Sequence, residues 1–117
     1  MTYLVVDDSK LARLSLIKSL KAHIGDSKII QAVNGEESLT LMNENSANVV
    51  FLDLTMPIMD GYEALPKLLE INPEAKVVVV SADIQTKAQE RVLSLGATIH
   101  IQKPINVEKM KEILDLL

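Results

Sequence analysis

Three carboxylates, a hydroxyl and an ammonium group each stand just beyond a short β-rich hydrophobic run. Asp7-Asp8 follow Tyr3–Val6, Asp53 follows Asn48–Leu52, Ser81 follows Lys76–Val80, and Lys103-Pro104 come shortly after Thr98–Ile101. If those runs are strands of one parallel sheet, the residues after them meet along a single edge. Carboxylates about 4 Å apart repel by about 4 kcal/mol at an effective dielectric of about 20, so such a cluster needs a cation or must hold protons. Magnesium suits it, because it takes octahedral oxygen ligands, usually one or two carboxylates with waters and phosphate oxygens; manganese is the expected substitute. His23 and His100 fall on a helix and a strand away from this edge, which disfavours zinc. Beside a divalent ion that clamps phosphoryl oxygens, a carboxylate can attack phosphorus and form an acyl phosphate. Asp53 is the expected nucleophile because the run Val49-Val50-Phe51-Leu52 before it reads as a central strand. Asp7 and Asp8 then hold the ion, Lys103 brings a mobile cation to the phosphoryl group, and Ser81 brings a hydroxyl donor.

Positioning these groups is the task of the segments between them. A second β-rich run, Lys28–Val33, brings the count to five, and each run is followed by a longer segment with helical spacing. Ser9 can cap a helix carrying Leu11, Leu14, Leu20 and Ile24 that Gly25 stops, and Asn34-Gly35 lead into one bearing Leu39 and Met42. A third helix around Tyr62 to Glu70 contains Pro66, which predicts a kink or a late start. Asp83 is the expected cap of a fourth helix through Val92 and Leu95, with Gly96 beyond its end. Asn106 is the expected cap of a fifth, with Val107, Met110, Ile113, Leu114 and Leu117 on one buried face. Strands separated by single helices pair in parallel through right-handed crossovers. The expected fold is therefore α/β, a doubly wound five-stranded parallel sheet with five helices, in which ligands bind at the carboxyl ends of the strands where strand order reverses.

At 117 residues the chain accommodates one domain, placed over 1–117, and no linker or repeat divides it. The formal charge of −4, with no basic cluster, argues against direct nucleic-acid binding. The absence of Cys excludes disulfides, thiolate metal sites and cysteine nucleophiles. Val77–Val80 and Val49–Leu52 are far shorter than the roughly 20 residues that cross a bilayer, and the N-terminus lacks the cationic start of a secretion signal. No membrane partner and a cytoplasmic location are the expectation.

Asp7-Asp8, the stretch Asp53-Leu54-Thr55-Met56-Pro57-Ile58-Met59-Asp60-Gly61, Ser81-Ala82 and Lys103-Pro104 together closely resemble the receiver domain of bacterial two-component response regulators. The resemblance covers essentially the whole chain, and the Asp-Asp-Ser start followed by Arg13 is most like chemotaxis-type single-domain members. It implies a flavodoxin-like fold and a domain that takes a phosphoryl group from a histidine kinase or phosphotransfer protein onto Asp53. It implies a metal at Asp7, Asp8, Asp53 and the backbone carbonyl of Thr55, with Ser81, Ala82 and Lys103 contacting the phosphoryl group. Pro104 matches a proline that follows a cis peptide and turns the lysine into the site. Such a chain is not an enzyme on other substrates, since it catalyses only its own phosphorylation and dephosphorylation. Its output is a downstream protein bound through helix four, strand five and helix five.

One departure from that pattern stands on strand five, where family members usually have Tyr or Phe and this chain has His100. The residue reads as a fixed packed side chain, as a smaller titratable switch partner for Ser81, or as a metal ligand, with packing the preferred reading. Asp60 is read as a turn acid, and Met56, Met59 and Met110 as packing. The rival reading is a metal-dependent phosphatase on the same fold class. Such an enzyme would need a second acid two residues beyond Asp53, where Thr55 stands. A nucleotide-binding module would need a glycine-rich phosphate loop, and none occurs.

Overall fold

The computed structural model describes residues 1–82 and 84–117. Strands and helices alternate as β1 (Thr2–Val6), α1 (Lys10–Ile24), β2 (Lys28–Ala32), α2 (Gly35–Asn45), β3 (Val49–Leu52), α3 (Gly61–Ile71), β4 (Lys76–Ser81), α4 (Thr86–Ser94), β5 (Ile99–Gln102) and α5 (Val107–Asp115). The strands form one parallel sheet in the order β2-β1-β3-β4-β5. Strand order reverses between β1 and β3, so the crevice beyond their carboxyl ends is the place where a ligand binds in such sheets.

Side-chain alternation divides the core into two layers. Leu4, Val6, Val50, Leu52, Val77 and Val79 point to one face, where Met42 of α2, Leu65 and Leu68 of α3, and Val92 of α4 cover them. Tyr3, Val5, Val49, Phe51, Val78 and Val80 point to the other, under Ile17 and Leu20 of α1 and Met110 and Ile113 of α5. β1, β3 and β4 are thus covered on both sides, and this is why they read as continuous aliphatic runs with no polar alternation.

Helix starts follow the capping chemistry. Ser9 Oγ accepts from Ala12 N at 3.2 Å, Asn34 Oδ1 from Glu37 N at 2.8 Å, Asp60 Oδ1 from Glu63 N at 2.9 Å and Asn106 Oδ1 from Lys109 N at 2.8 Å. Asp60 is therefore a cap and has no part in the acid cluster. α3 begins at Gly61, ahead of Pro66, and continues through it to Ile71, so the expected late start does not occur. Gly96 takes φ 108 just past α4, the role expected of it. The expected cap Asp83 lies outside the described residues, and α4 begins at Thr86, preceded by Gln85.

Two apolar assignments are corrected. Leu11 and Leu14 are exposed, and the buried stripe of α1 is Ile17 and Leu20, flanked by half-buried Leu16 and Ile24. At 3.6 residues per turn Leu11 falls on the opposite side of the helix from that stripe and Leu14 about a quarter turn away. Arg13 lies in line with the stripe, and its guanidinium reaches the Asp7 carbonyl at 2.7 Å and Gln31 Oε1 at 3.0 Å. Val107, expected on the buried face of α5, is its first residue and is exposed; its carbonyl lies 2.7 Å from His23 Nε2.

Candidate functional site

The parallel ladder continues one step past the strands and thereby registers the polar residues beside one another. Asp7 N donates to Ala32 O at 3.1 Å, Asp53 N to Val6 O at 2.9 Å and Lys103 N to Ser81 O at 2.9 Å. Asp7, Asp53 and Ser81 are buried, while Asp8 is exposed. The Lys103-Pro104 peptide is cis, as expected. Lys103 Nζ sits 2.7 Å from Asp7 Oδ2 and 3.3 Å from Asp53 Oδ1. The other oxygen of Asp7 accepts from Ser9 N at 2.9 Å. Beside this cluster opens a cavity of about 280 Å³ lined by Asp53, Leu54, Thr55, Tyr62, Ser81, Ala82 and Lys103. The structure thus brings together every site residue expected from the sequence except His100.

Burial pushes the Asp53 carboxyl above its ordinary value, and the like charge of Asp7 adds to that, outweighing the pull of Lys103 and of the Leu54 amide. Burial alone would lower Lys103. The hydrogen bond to Asp7 and the charges of Asp53 and Asp7 reverse this, so the ammonium is held above its ordinary value. One carboxylate oxygen from each of Asp7, Asp8 and Asp53 lies within 4.8 Å of the others. Fully ionised, three carboxylates and one ammonium leave two negative charges uncompensated, which is the charge of one divalent ion. An all-oxygen donor set fits a hard cation. Among the described residues this is the one cluster of three ligand-type side chains, and neither histidine belongs to it.

The loop after Asp53 is held by close backbone contacts that its composition does not announce. Gly61 N donates to Leu54 O, and Gly35 N to Met59 O, both at 2.9 Å. A Cβ on Gly61 would stand 2.3 Å from Asp53 O and 2.9 Å from Leu54 Cα. Gly61 is needed because the first turn of α3 lies directly on the backbone of the acid-bearing loop. The clue in the sequence was a glycine directly after a capping Asp, where helix propensity gives no reason for one. Gly61→Ala is expected to destabilise the fold by about 1–3 kcal/mol, the scale of an overpacked site. Urea denaturation measures it, and an unchanged midpoint would show that the loop gives way freely. In the same loop Ile58 takes φ 69, a conformation that costs a β-branched residue about 1–2 kcal/mol.

His100 lies half-buried on β5, opposite Val79, and borders a groove with Ile84, Gln102, Asn106 and Lys109. It lines no wall of the acid pocket. Met56 and Met110 are buried and Met59 packs against the core, as expected of packing residues. Sequence reasoning gave no role to Tyr62, which lines the pocket with the guanidinium of Arg91 stacked 3.9 Å from its ring centroid. No helix among the described residues is long and apolar enough to cross a membrane.

The model of the response regulator receiver domain family matches residues 3–115. The chain is 34% identical over 112 residues to the chemotaxis protein CheY of Listeria monocytogenes, covering 96% of this chain and 93% of that protein. It is also 34% identical over 113 residues to protein-glutamate methylesterase/protein-glutamine glutaminase 1 of Paramagnetospirillum magneticum. There the match takes in 92% of this chain and 29% of the relative, so the chain spans under a third of that protein's length. Among solved structures, the CheX-CheY-BeF3-Mg2+ complex of Borrelia burgdorferi superposes with a TM-score of 0.87 at 29% identity, over 99% of this chain and 85% of that one. The phosphatase reading gains no support, since the family model that matches is that of the receiver domain and Thr55 lines the pocket where a second acid would stand. A parallel sheet that gathers acids, a hydroxyl and a lysine along one edge, and a family match over nearly its full length, place this chain in the receiver-domain family of two-component response regulators.

Proposed function

We propose that Asp53 is the residue that carries the phosphoryl group and that residues 1–117 act as one receiver domain. The observation that supports this most strongly is the position of Asp53, buried, 3.3 Å from a lysine, and opening onto a cavity whose other walls offer a hydroxyl and backbone groups. The donor is a phosphohistidine on a sensor histidine kinase or phosphotransfer protein. An oxygen of Asp53 bonds to phosphorus as the phosphorus–nitrogen bond breaks, and the imidazole keeps the electron pair and takes up a proton. Lys103 and the Ser81 hydroxyl and Ala82 backbone receive the new phosphoryl oxygens. Magnesium, held by Asp7, Asp8, Asp53 and the Thr55 carbonyl, would supply the charge neutralisation that two approaching anions require. Nothing in the donor set selects manganese over it.

The new dianion is the signal. It draws Ser81 toward it and biases the surface of α4, β5 and α5, where His100 borders the groove with Ile84 and Lys109. His100 is a half-buried packing residue beside that groove, and a downstream protein of chemotaxis type reads the change. The chain turns over no external substrate, and it works in the cytoplasm beside its kinase.

Incubation with phosphoramidate and magnesium tests the reading. The expected product is a single hydroxylamine-labile phosphoryl group mapped to Asp53 by mass spectrometry, absent when EDTA replaces magnesium. A label stable to hydroxylamine, or steady release of phosphate from phosphoesters, would overturn it.

A further inference from the structure

The acid pocket is lined by the ends of β3, β4 and β5 with the loops that follow them, and by Tyr62 from the first turn of α3. That ring is the one aromatic group in the lining and is half-buried. Its face is covered by the guanidinium of Arg91, which comes from α4 and lies 3.9 Å from the ring centroid. Arg91 makes no ion pair with an acid at salt-bridge distance among the described residues. The stack ties α3 to α4 through a residue, Tyr62, that lines the cavity onto which Asp53 opens.

We infer that Arg91 is a positioning residue that acts through Tyr62, pinning the phenol ring as a screen between the acyl phosphate and bulk water and thereby setting how long the signal lasts. The inference rests on Asp53 being the acceptor. In the step it governs, a water oxygen bonds to phosphorus as the bond from phosphorus to the Asp53 oxygen breaks. The carboxylate leaves with the electron pair, and both protons of the water remain on the released dihydrogenphosphate. A ring held in place removes volume from which water can approach phosphorus in line, and an apolar surface there binds no water of its own. Arg91 holds the ring by the attraction of a cation for the negative face of the aromatic system, a contact that lysine can partly keep and methionine cannot. Because Arg91 belongs to α4, movement of that helix changes the hold on the ring. A protein bound against α4 would then alter the lifetime of the phosphoryl group.

The test is the decay of the full chain labelled with phosphoramidate and magnesium, then freed of donor, followed by Phos-tag electrophoresis. Arg91→Met is expected to shorten the half-life about threefold and Tyr62→Ala about tenfold. Tyr62→Phe keeps the ring and Arg91→Lys keeps the charge, and both are expected to stay near the parent. The double variant Tyr62→Ala with Arg91→Met is expected to decay like Tyr62→Ala alone, because the arginine has nothing to act through once the ring is gone. A role confined to stability would lower the melting temperature and leave the decay unchanged. Equal half-lives in parent, Arg91→Met and Tyr62→Ala overturn the inference, as does a double variant whose effects multiply. Failure of the parent chain to take up a label at Asp53 would instead overturn the acceptor assignment, and the inference with it.

Discussion

Asp53→Asn is expected to take up no hydroxylamine-labile phosphoryl group, a loss of at least about 100-fold against the parent under identical donor and magnesium, and in the absence of metal to unfold at a higher temperature. The two results have one origin. The features that suit Asp53 to the proposed acceptor role also make it costly to ionise in the resting protein: burial raises its pKa and the charge of Asp7 raises it further. A folded-state pKa above the unfolded value means that the ionised group destabilises the fold. The penalty is fully present above the folded pKa and fades as pH falls toward the ordinary value of 3.8. Replacing the carboxylate by an amide removes desolvation and repulsion while giving up the weaker pull of Lys103. The gain at neutral pH is expected to be about 1–2 kcal/mol, a few degrees in melting temperature for a domain of this size. Repeating the measurement near pH 4 should shrink the difference, and saturating magnesium should narrow it by stabilising the parent more than the variant. A variant less stable than the parent at pH 7 in EDTA would mean that Asp53 is held by more favourable contacts than Lys103 and the Leu54 amide provide.

The chemistry of this site was legible in the sequence because each of its parts sits at a strand end, and strand ends are marked by where an aliphatic run stops. Val49-Val50-Phe51-Leu52 reads as a strand buried on both faces, and Asp53 is the first residue it cannot bury cheaply. Strand order was legible only as a class, since the reversal between β1 and β3 depends on which sheet edge each crossover joins. Which face of a helix meets the sheet was less legible. Leu11 and Leu14 share an apolar character with Ile17 and Leu20, and composition alone does not separate the exposed pair from the buried pair. Contacts that depend on close approach in space left little trace at all. Gly61 against Asp53 O, Arg13 against the Asp7 carbonyl, and Arg91 over Tyr62 join residues whose spacing in the chain carries no period. The Lys103-Pro104 peptide lies between these cases: X-Pro makes a cis bond affordable, and the resemblance to receivers indicated that it is used.

Lys103→Met is expected to separate two roles that one ammonium now fills, weakening phosphorylation while tightening magnesium. With its Nζ 2.7 Å from Asp7 and 3.3 Å from Asp53, Lys103 is the counter-charge of the resting cluster and so competes with any divalent ion for the same carboxylate oxygens. Its removal leaves two buried carboxylates facing each other. Breaking a buried pair costs several kcal/mol, and because this lysine is partly open to solvent the expected loss in EDTA is about 1–3 kcal/mol. The parent's benefit has a definite pH window. Since the folded-state pKa of Lys103 is raised, its contribution is fully present below the ordinary value of 10.5 and disappears as pH rises through the higher folded value; the variant lacks that alkaline loss. Calorimetric titration should show magnesium binding several-fold more tightly to Lys103→Met, because the ion no longer displaces an ammonium. Phosphoryl uptake should nevertheless fall about 100-fold, because a cation aimed at the transferring group is lost. Misfolding would lower both quantities together, and a lysine that merely balanced charge would let magnesium restore phosphorylation. Opposite movement of the two is the result that assigns Lys103 to the phosphoryl group as well as to the acids.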